Sequence, residues 1–195
     1  MSPTMQKHWH NEQGTVLVVG MLTLVLLTLI GIAATTTGSL ESEISGNEKS
    51  YQQAFYASEI ALVSGEIIVE GLATRAALAE GTTPGRYPQG SLSFDHTTFK
   101  LIQSQDGMGD AIIPRPLRWD NTDSAAVTNV PTGLSWVAAP PRYTIEEREF
   151  QPDSQGIGIT YGRTGTYRFT VSGRGTGGSK SAQLLLETIY AKRFN

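Results

Sequence analysis

The sequence predicts an α+β fold in which one long N-terminal helix, apolar in its first half and amphipathic in its second, packs on an antiparallel β-sheet. Three observations carry the prediction. No Asp, Glu, Lys or Arg lies between Glu12 and Glu41, and a helix needs only roughly 20 such residues to cross a hydrocarbon layer. From Ser39 to Glu80 apolar residues return with the spacing of a helix face. In the last third, apolar and polar residues alternate in runs separated by glycine-rich sequence, the period of strands.

The apolar segment, residues 15–38, is interrupted only by threonines and glycines. A threonine hydroxyl can bond to a carbonyl one turn back, so these residues are compatible with a membrane helix. A buried core helix would need a larger protein to surround it. A cleaved secretory signal fits less well, because the apolar run is long and Ala33-Ala34 is followed by threonines rather than a small-residue cleavage motif. Lys7 precedes the segment and Glu41 and Glu43 follow it, which orients the N-terminus to the cytoplasm and the remainder outside it.

Residues 39–80 are expected to continue the helix as an amphipathic arm. Ile44, Tyr51, Phe55, Ala61 or Leu62, and Ile68 form one apolar stripe, with Glu41, Glu48, Glu59, Glu66 and Glu70 on wetter faces. Tyr51, Phe55, Ile60, Ile67 and Ile68 are the residues expected to pack on the sheet. Gly46 is a candidate bend, and the Gly81–Gly90 stretch with Pro84 and Pro88 ends the helical portion.

Residues 81–195 read as a β-rich head. Short strands are expected within 91–113, and 114–142, rich in proline and without period, reads as a variable loop region suited to binding. YTIEEREF (143–150), TYRFTVSG (166–173) and SAQLLLETIYAKR (181–193) read as strands. Tyr167, Phe169 and Val171 alternate with Arg168, Thr170 and Ser172, and RGTGGSKS joins the last two strands as a hairpin in which Gly177 and Gly178 relax the backbone.

Composition narrows the functional classes. A net charge of −3 with scattered basic residues gives no attraction to nucleic acid. The chain has no cysteine and 3 histidines, two of them, His8 and His10, ahead of the apolar segment; neither a thiolate nucleophile nor a multi-histidine metal site within the head is indicated. His96 has no nucleophile-elbow context, so no catalytic residues and no cofactor are predicted. Asp106–Asp110 and Asp120–Asp123 hold oxygen ligands but lack calcium-loop spacing and read as capped turns. Gly173–Lys180 is not a phosphate loop, because the glycine-rich segment lies between strands and lacks the GxxxxGK[ST] order.

Gly14, ending a short mildly charged leader before the apolar run, resembles a type IV prepilin cleavage site. TLIGIAATTTGSLESEISGNEKSYQQAFYASEIAL (28–62), including Gly46-Asn47 and Ala54 to Glu59, resembles the N-terminal signature of PilX-type minor pilins. YRFTVSGRGTGGSKSAQLLLETIYAKR (167–193) is similar to that group's C-terminal hairpin. The resemblance implies a pilin-like fold and a division into a 1–14 leader, a 15–38 transmembrane and assembly helix, a 39–80 arm and an 81–195 head.

It further implies a minor pilin that primes or caps type IV pilus assembly in a tip complex, inserted once in the inner membrane with its head in the periplasm before reaching the pilus tip. Implied partners are prepilin peptidase, other minor pilins, the major pilin, the inner-membrane assembly machinery and, in some systems, a PilY-type tip adhesin. Gly14 and Thr15 would be the processing residues, with methylation of Thr15. Val19, Leu22, Leu26 and Leu29 would serve the assembly helix. Val19 stands where major pilins usually carry the glutamate that meets a neighbour's terminal amine. A pseudopilin of type II secretion and a single-pass anchored binding domain are the alternatives.

Overall fold

The computed structural model describes residues 13–73, 84–98, 100–106, 109–128, 134, 136–153 and 165–194. The expected leader through residue 12, the arm beyond residue 73 and the centres of several loops lie outside the described residues. The chain divides into two compact units, Met1–Gly46 and Asn47–Asn195, and helix α1, Gln13–Glu70, contributes to both.

In the first unit α1 is exposed throughout its described length. Over its apolar stretch the threonine hydroxyls are turned inward: Thr23 donates to Gly20 O at 2.9 Å, Thr28 to Val25 O at 2.7 Å and Thr37 to Ala33 O at 3.0 Å. Threonine hydroxyls are thus consumed by the helix's own backbone, leaving a nearly continuous hydrocarbon surface.

The second unit is layered. One sheet has the order β1 (Arg86–Tyr87), β6 (Arg142–Pro152), β7 (Gly165–Thr176), β8 (Gln183–Phe194), with β5 (Ala125–Ala126) also pairing with β6. β6–β7 and β7–β8 are antiparallel, with Phe169 opposite Tyr190, as the alternating patterns predict. β1 is parallel to β6. A second sheet, β2 (Leu92–Asp95), β3 (Lys100–Gln105) and β4 (Ala111–Pro116), is antiparallel. The region 114–142 is thus not loop throughout, since β4 reaches Pro116 and β5 lies within it.

The face of β7 toward α1 tapers. Its successive residues are Tyr167, Phe169, Val171, Gly173 and Gly175, since alternate residues share a face, with Gly177 just beyond the strand end. The large end joins Val69, Leu72 and Ile145 in the main core, with Leu62, Ile68, Phe150, Tyr190 and Phe194 around it. At the small end the helix backbone comes down on glycine. A Cβ on Gly173 would lie 2.7 Å from Ser58 O, one on Gly175 would overlap Ala54 O and Ser58 N, and one on Gly177 would overlap Ser50 O. Small residues on both elements allow that approach: Ala54, Ala57, Ser58 and Ala61 are fully buried.

This corrects two expectations. Gly177 serves close approach rather than turn relaxation, and the left-handed glycines among the described residues are Gly85, Gly90 and Gly109. Of the expected large residues only Leu62 and Ile68 pack against the sheet core, whereas Tyr51 is 54% exposed, Phe55 40% and Ile67 61%, with Ile60 half-buried. Bulky side chains cannot occupy a seam that brings backbone against backbone, so the alanine and serine face takes it instead.

The other face of the main sheet covers a smaller core of Tyr87, Leu101 and Leu117, flanked by Leu92, Trp119 and Leu185. Glu146 on β6 joins the two sheets by accepting a hydrogen bond from Leu92 N–H at 2.9 Å. Burial raises its carboxyl above the usual range, while the Leu92 N–H acts in the opposite sense.

Candidate functional site

The candidate assembly surface is the length of α1, and its two portions differ in kind. In the first unit Val19, Leu22, Leu26 and Leu29 lie at helical spacing and are each more than half exposed. Val16, Leu17, Leu24, Leu27 and Ile30 are exposed as well, so the four expected residues belong to an apolar cylinder rather than a distinct stripe. Helix α1 is long and apolar enough to cross a membrane and fits a single-pass anchor. Gly14 and Thr15 lie in the first turn of the described helix, and a Cβ on Gly14 would meet nothing within 4 Å.

In the second unit, the face of α1 turned from the glycine seam carries Tyr51, Phe55, Val63 and Ile67. Beside it runs an open groove of about 560 Å³, walled by Tyr56, Ile60, Val63 and Ile67 on the helix and by Val127 and Tyr143 across from it. Of the residues expected to pack on the sheet, Ile60 and Ile67 are therefore brought together here at a surface. Burial raises the phenol of Tyr143.

The helix end is held by a residue that sequence reasoning did not single out. The last turn of α1 contains no basic residue, yet Lys192 Nζ from β8 donates to Val69 O at 3.1 Å, to Leu72 O at 2.7 Å and to Glu70 O. Carbonyls at the helix end acquire a cation, with Val69 O also accepting from Leu72 N–H, and the helix dipole favours the same placement. The available signal was a lysine on the helix-facing register of β8, opposite Tyr167.

The acidic clusters form turns. Asp106 Oδ1 accepts from Asp110 N–H at 2.9 Å, and Asp120 Oδ1 from Thr122 N–H at 2.8 Å. Asp123 is buried and accepts from Arg115 Nη2 at 2.8 Å and from Arg118 N–H at 2.9 Å. Its burial alone would raise the carboxyl, but the hydrogen bonds and charge of Arg115 outweigh that and hold it below the usual range. Tyr87 donates to Asp123 O at 2.6 Å, locking this loop over β1. Among the described residues no group of three or more His, Cys, Asp or Glu could hold a metal.

A family model described as type IV pilus assembly protein PilX C-term matches residues 2–192. The chain belongs to the PilX family. It is accordingly a type IV pilus protein of minor-pilin type, and its exposed apolar helix and antiparallel head agree with a pilin-like α+β fold. Comparison with curated proteins and with solved structures gave no match.

Proposed function

We propose that this PilX-family protein primes or caps type IV pilus assembly as a minor subunit of a tip complex. The observation that supports this reading is Val19, an exposed apolar residue on a segment with no acidic residue between Glu12 and Glu41. Resemblance to prepilins puts the first mature residue at Thr15, so Val19 occupies the position at which a major pilin's glutamate would meet a neighbouring ammonium. A carboxylate and an ammonium in an apolar bundle satisfy one another, whereas either alone carries a large desolvation penalty. A subunit without that carboxylate suits an end of the filament, where one of the two neighbour contacts is not required.

In this reading prepilin peptidase removes residues 1–14 and Thr15 is methylated. The apolar helix holds the protein in the inner membrane with its head in the periplasm. Transfer into the filament exchanges lipid for helix contacts of similar polarity. Other minor pilins, the major pilin, the assembly machinery and in some systems a PilY-type adhesin are the partners.

The test is immunogold labelling of pili together with pilus counts in a deletion strain. Label confined to filament ends and loss of pili on deletion are expected. Label spaced along the shaft, or normal pilus numbers without the protein, would overturn the proposal.

A further inference from the structure

On the sheet face away from α1 lies a pocket of about 450 Å³. Its floor is apolar, made by Leu101, Leu117, Trp119 and Leu185, and its polar wall holds Lys100 and Arg174. The wall is cationic, and no carboxylate is among the residues that line the pocket. Arg174 forms no ion pair among the described residues: its Nε and Nη2 both donate to the neutral Gln183 Oε1, at 3.1 and 2.6 Å, and its guanidinium carbon lies 5.8 Å from the centre of the Trp119 ring. Nη1 retains its donors.

The surroundings add to the positive field. Arg142 stands directly opposite Arg174 in the β6–β7 register, is buried, and donates to Ser124 Oγ, Ser124 O and Asn121 Oδ1, all at 2.7 Å and all uncharged. Burial and the Arg142 charge both disfavour the charged form of Arg174. Of the nearby carboxylates, Asp123 is ion-paired with Arg115, whereas Asp95, opposite Lys100 on β2, accepts only from the neutral Thr97 N–H and Thr98 hydroxyl and Asp120 acts on Arg142; none of the three lines the pocket. A guanidinium on an indole, with a lysine beside it that forms no ion pair among the described residues and an aliphatic floor, is complementary to one carboxylate carried next to an apolar group.

We propose that this pocket is a docking site for a segment of another pilus subunit presenting an acidic side chain beside an apolar one. The carboxylate meets Arg174 Nη1 and Lys100, and the apolar neighbour covers Leu101, Leu117 and Trp119. The site lies on the face of the sheet opposite α1, so helix packing and this contact can be made at once. It stands whether the subunit primes, caps or does neither.

The test uses the full chain in zwitterionic micelles, following the indole N–H resonance assigned to Trp119 by its loss in Trp119→Phe. Probes are an acetylated, amidated hexapeptide of alternating Glu and Leu, its Gln and Leu counterpart, and a sulfated disaccharide. The glutamate peptide is expected to shift the resonance saturably, and the glutamine peptide to bind at least about tenfold more weakly, the order expected for loss of a charge-assisted contact. Arg174→Gln and the more exposed Lys100→Gln should each weaken the glutamate peptide by a similar factor, and Lys100→Gln decides the matter if Arg174→Gln does not fold. Absence of any shift, equal binding of the two peptides, indifference to Lys100→Gln, or tighter binding of the disaccharide would overturn the proposal.

Discussion

Replacing Gly175 by alanine tests the backbone-on-backbone seam between α1 and β7. The added methyl would overlap Ala54 O and Ser58 N and lie 2.8 Å from Ala57 C, all helix main-chain atoms that no rotamer change can move. Ordinary carbon contacts lie at roughly 3.5–4.0 Å, so the helix must retreat by about 1 Å and loosen Ala54, Ala57, Ser58 and Ala61. Overpacking of a tight core costs about 1–3 kcal/mol, and rigid walls put this site near the upper end. Alanine also restricts the unfolded chain, which returns up to about 1 kcal/mol. The net loss is about 2 kcal/mol, or a Tm lower by about 4–8 °C for a unit of this size. Gly178→Ala is the control, because its methyl would sit 3.3 Å from Gln53 Oε1, the end of a flexible side chain, and should change stability by less than about 0.5 kcal/mol. Near-ultraviolet circular dichroism of the full chain in micelles reads the head separately from the membrane helix. Equal melting of the two variants, or Gly175→Ala melting with the parent, would refute the close-approach reasoning.

Lys192→Met should destabilise the head by about 1–3 kcal/mol, because carbonyls of Val69, Glu70 and Leu72 lose a cationic donor; hydrogen exchange at Gly71 and Leu72 should accelerate, and unchanged exchange would count against the clamp. Glu146, whose folded pKa lies above its ordinary value of 4.5, contributes stability that is fully present below that value and is lost as pH rises through the folded pKa. The stability of the parent relative to Glu146→Gln should therefore fall as the pH rises above that ordinary value in urea titrations, and a constant difference would refute the assignment. Mass analysis after membrane expression should show peptidase-dependent loss of residues 1–14 and a methylated Thr15, with Gly14→Val remaining full length; an intact leader with active peptidase in a correctly inserted chain would sink the processing route.

The long helix was legible because two independent patterns, an uncharged run and then a helical period, meet without a breaker between Gln13 and Glu70. The β6, β7 and β8 strands were legible from alternation, and their ends lie within a few residues of expectation. The helix face was legible only toward its C-terminal end, where Leu62 and Ile68 pack on the core; farther back, a search for apolar stripes selects large side chains such as Tyr51 and Phe55, whereas the seam selects small ones. Its signature was present as Ala54, Ala57, Ser58 and Ala61 at three- and four-residue steps and Gly173, Gly175 and Gly177 at steps of two, but it becomes informative only when the two are set against each other. The parallel β1–β6 pairing and the Arg174 pocket depend on residues distant in sequence, for which local period carries no signal. The processing pair Gly14 and Thr15 rests on family resemblance, since backbone geometry alone does not distinguish a protease substrate.

The glycine seam also bears on mechanics. Where two elements meet through side chains, a shearing load is absorbed by rotamers that rearrange and let one element creep along the other. Between Gly173, Gly175 and Gly177 and the backbone of Ser50 to Leu62 there are few such degrees of freedom. Tension entering the arm of α1 would pass into β7 with little slack, and the interface would resist until it separated as a whole. For a fibre component, that makes the smallest side chains in the head its stiffest joint.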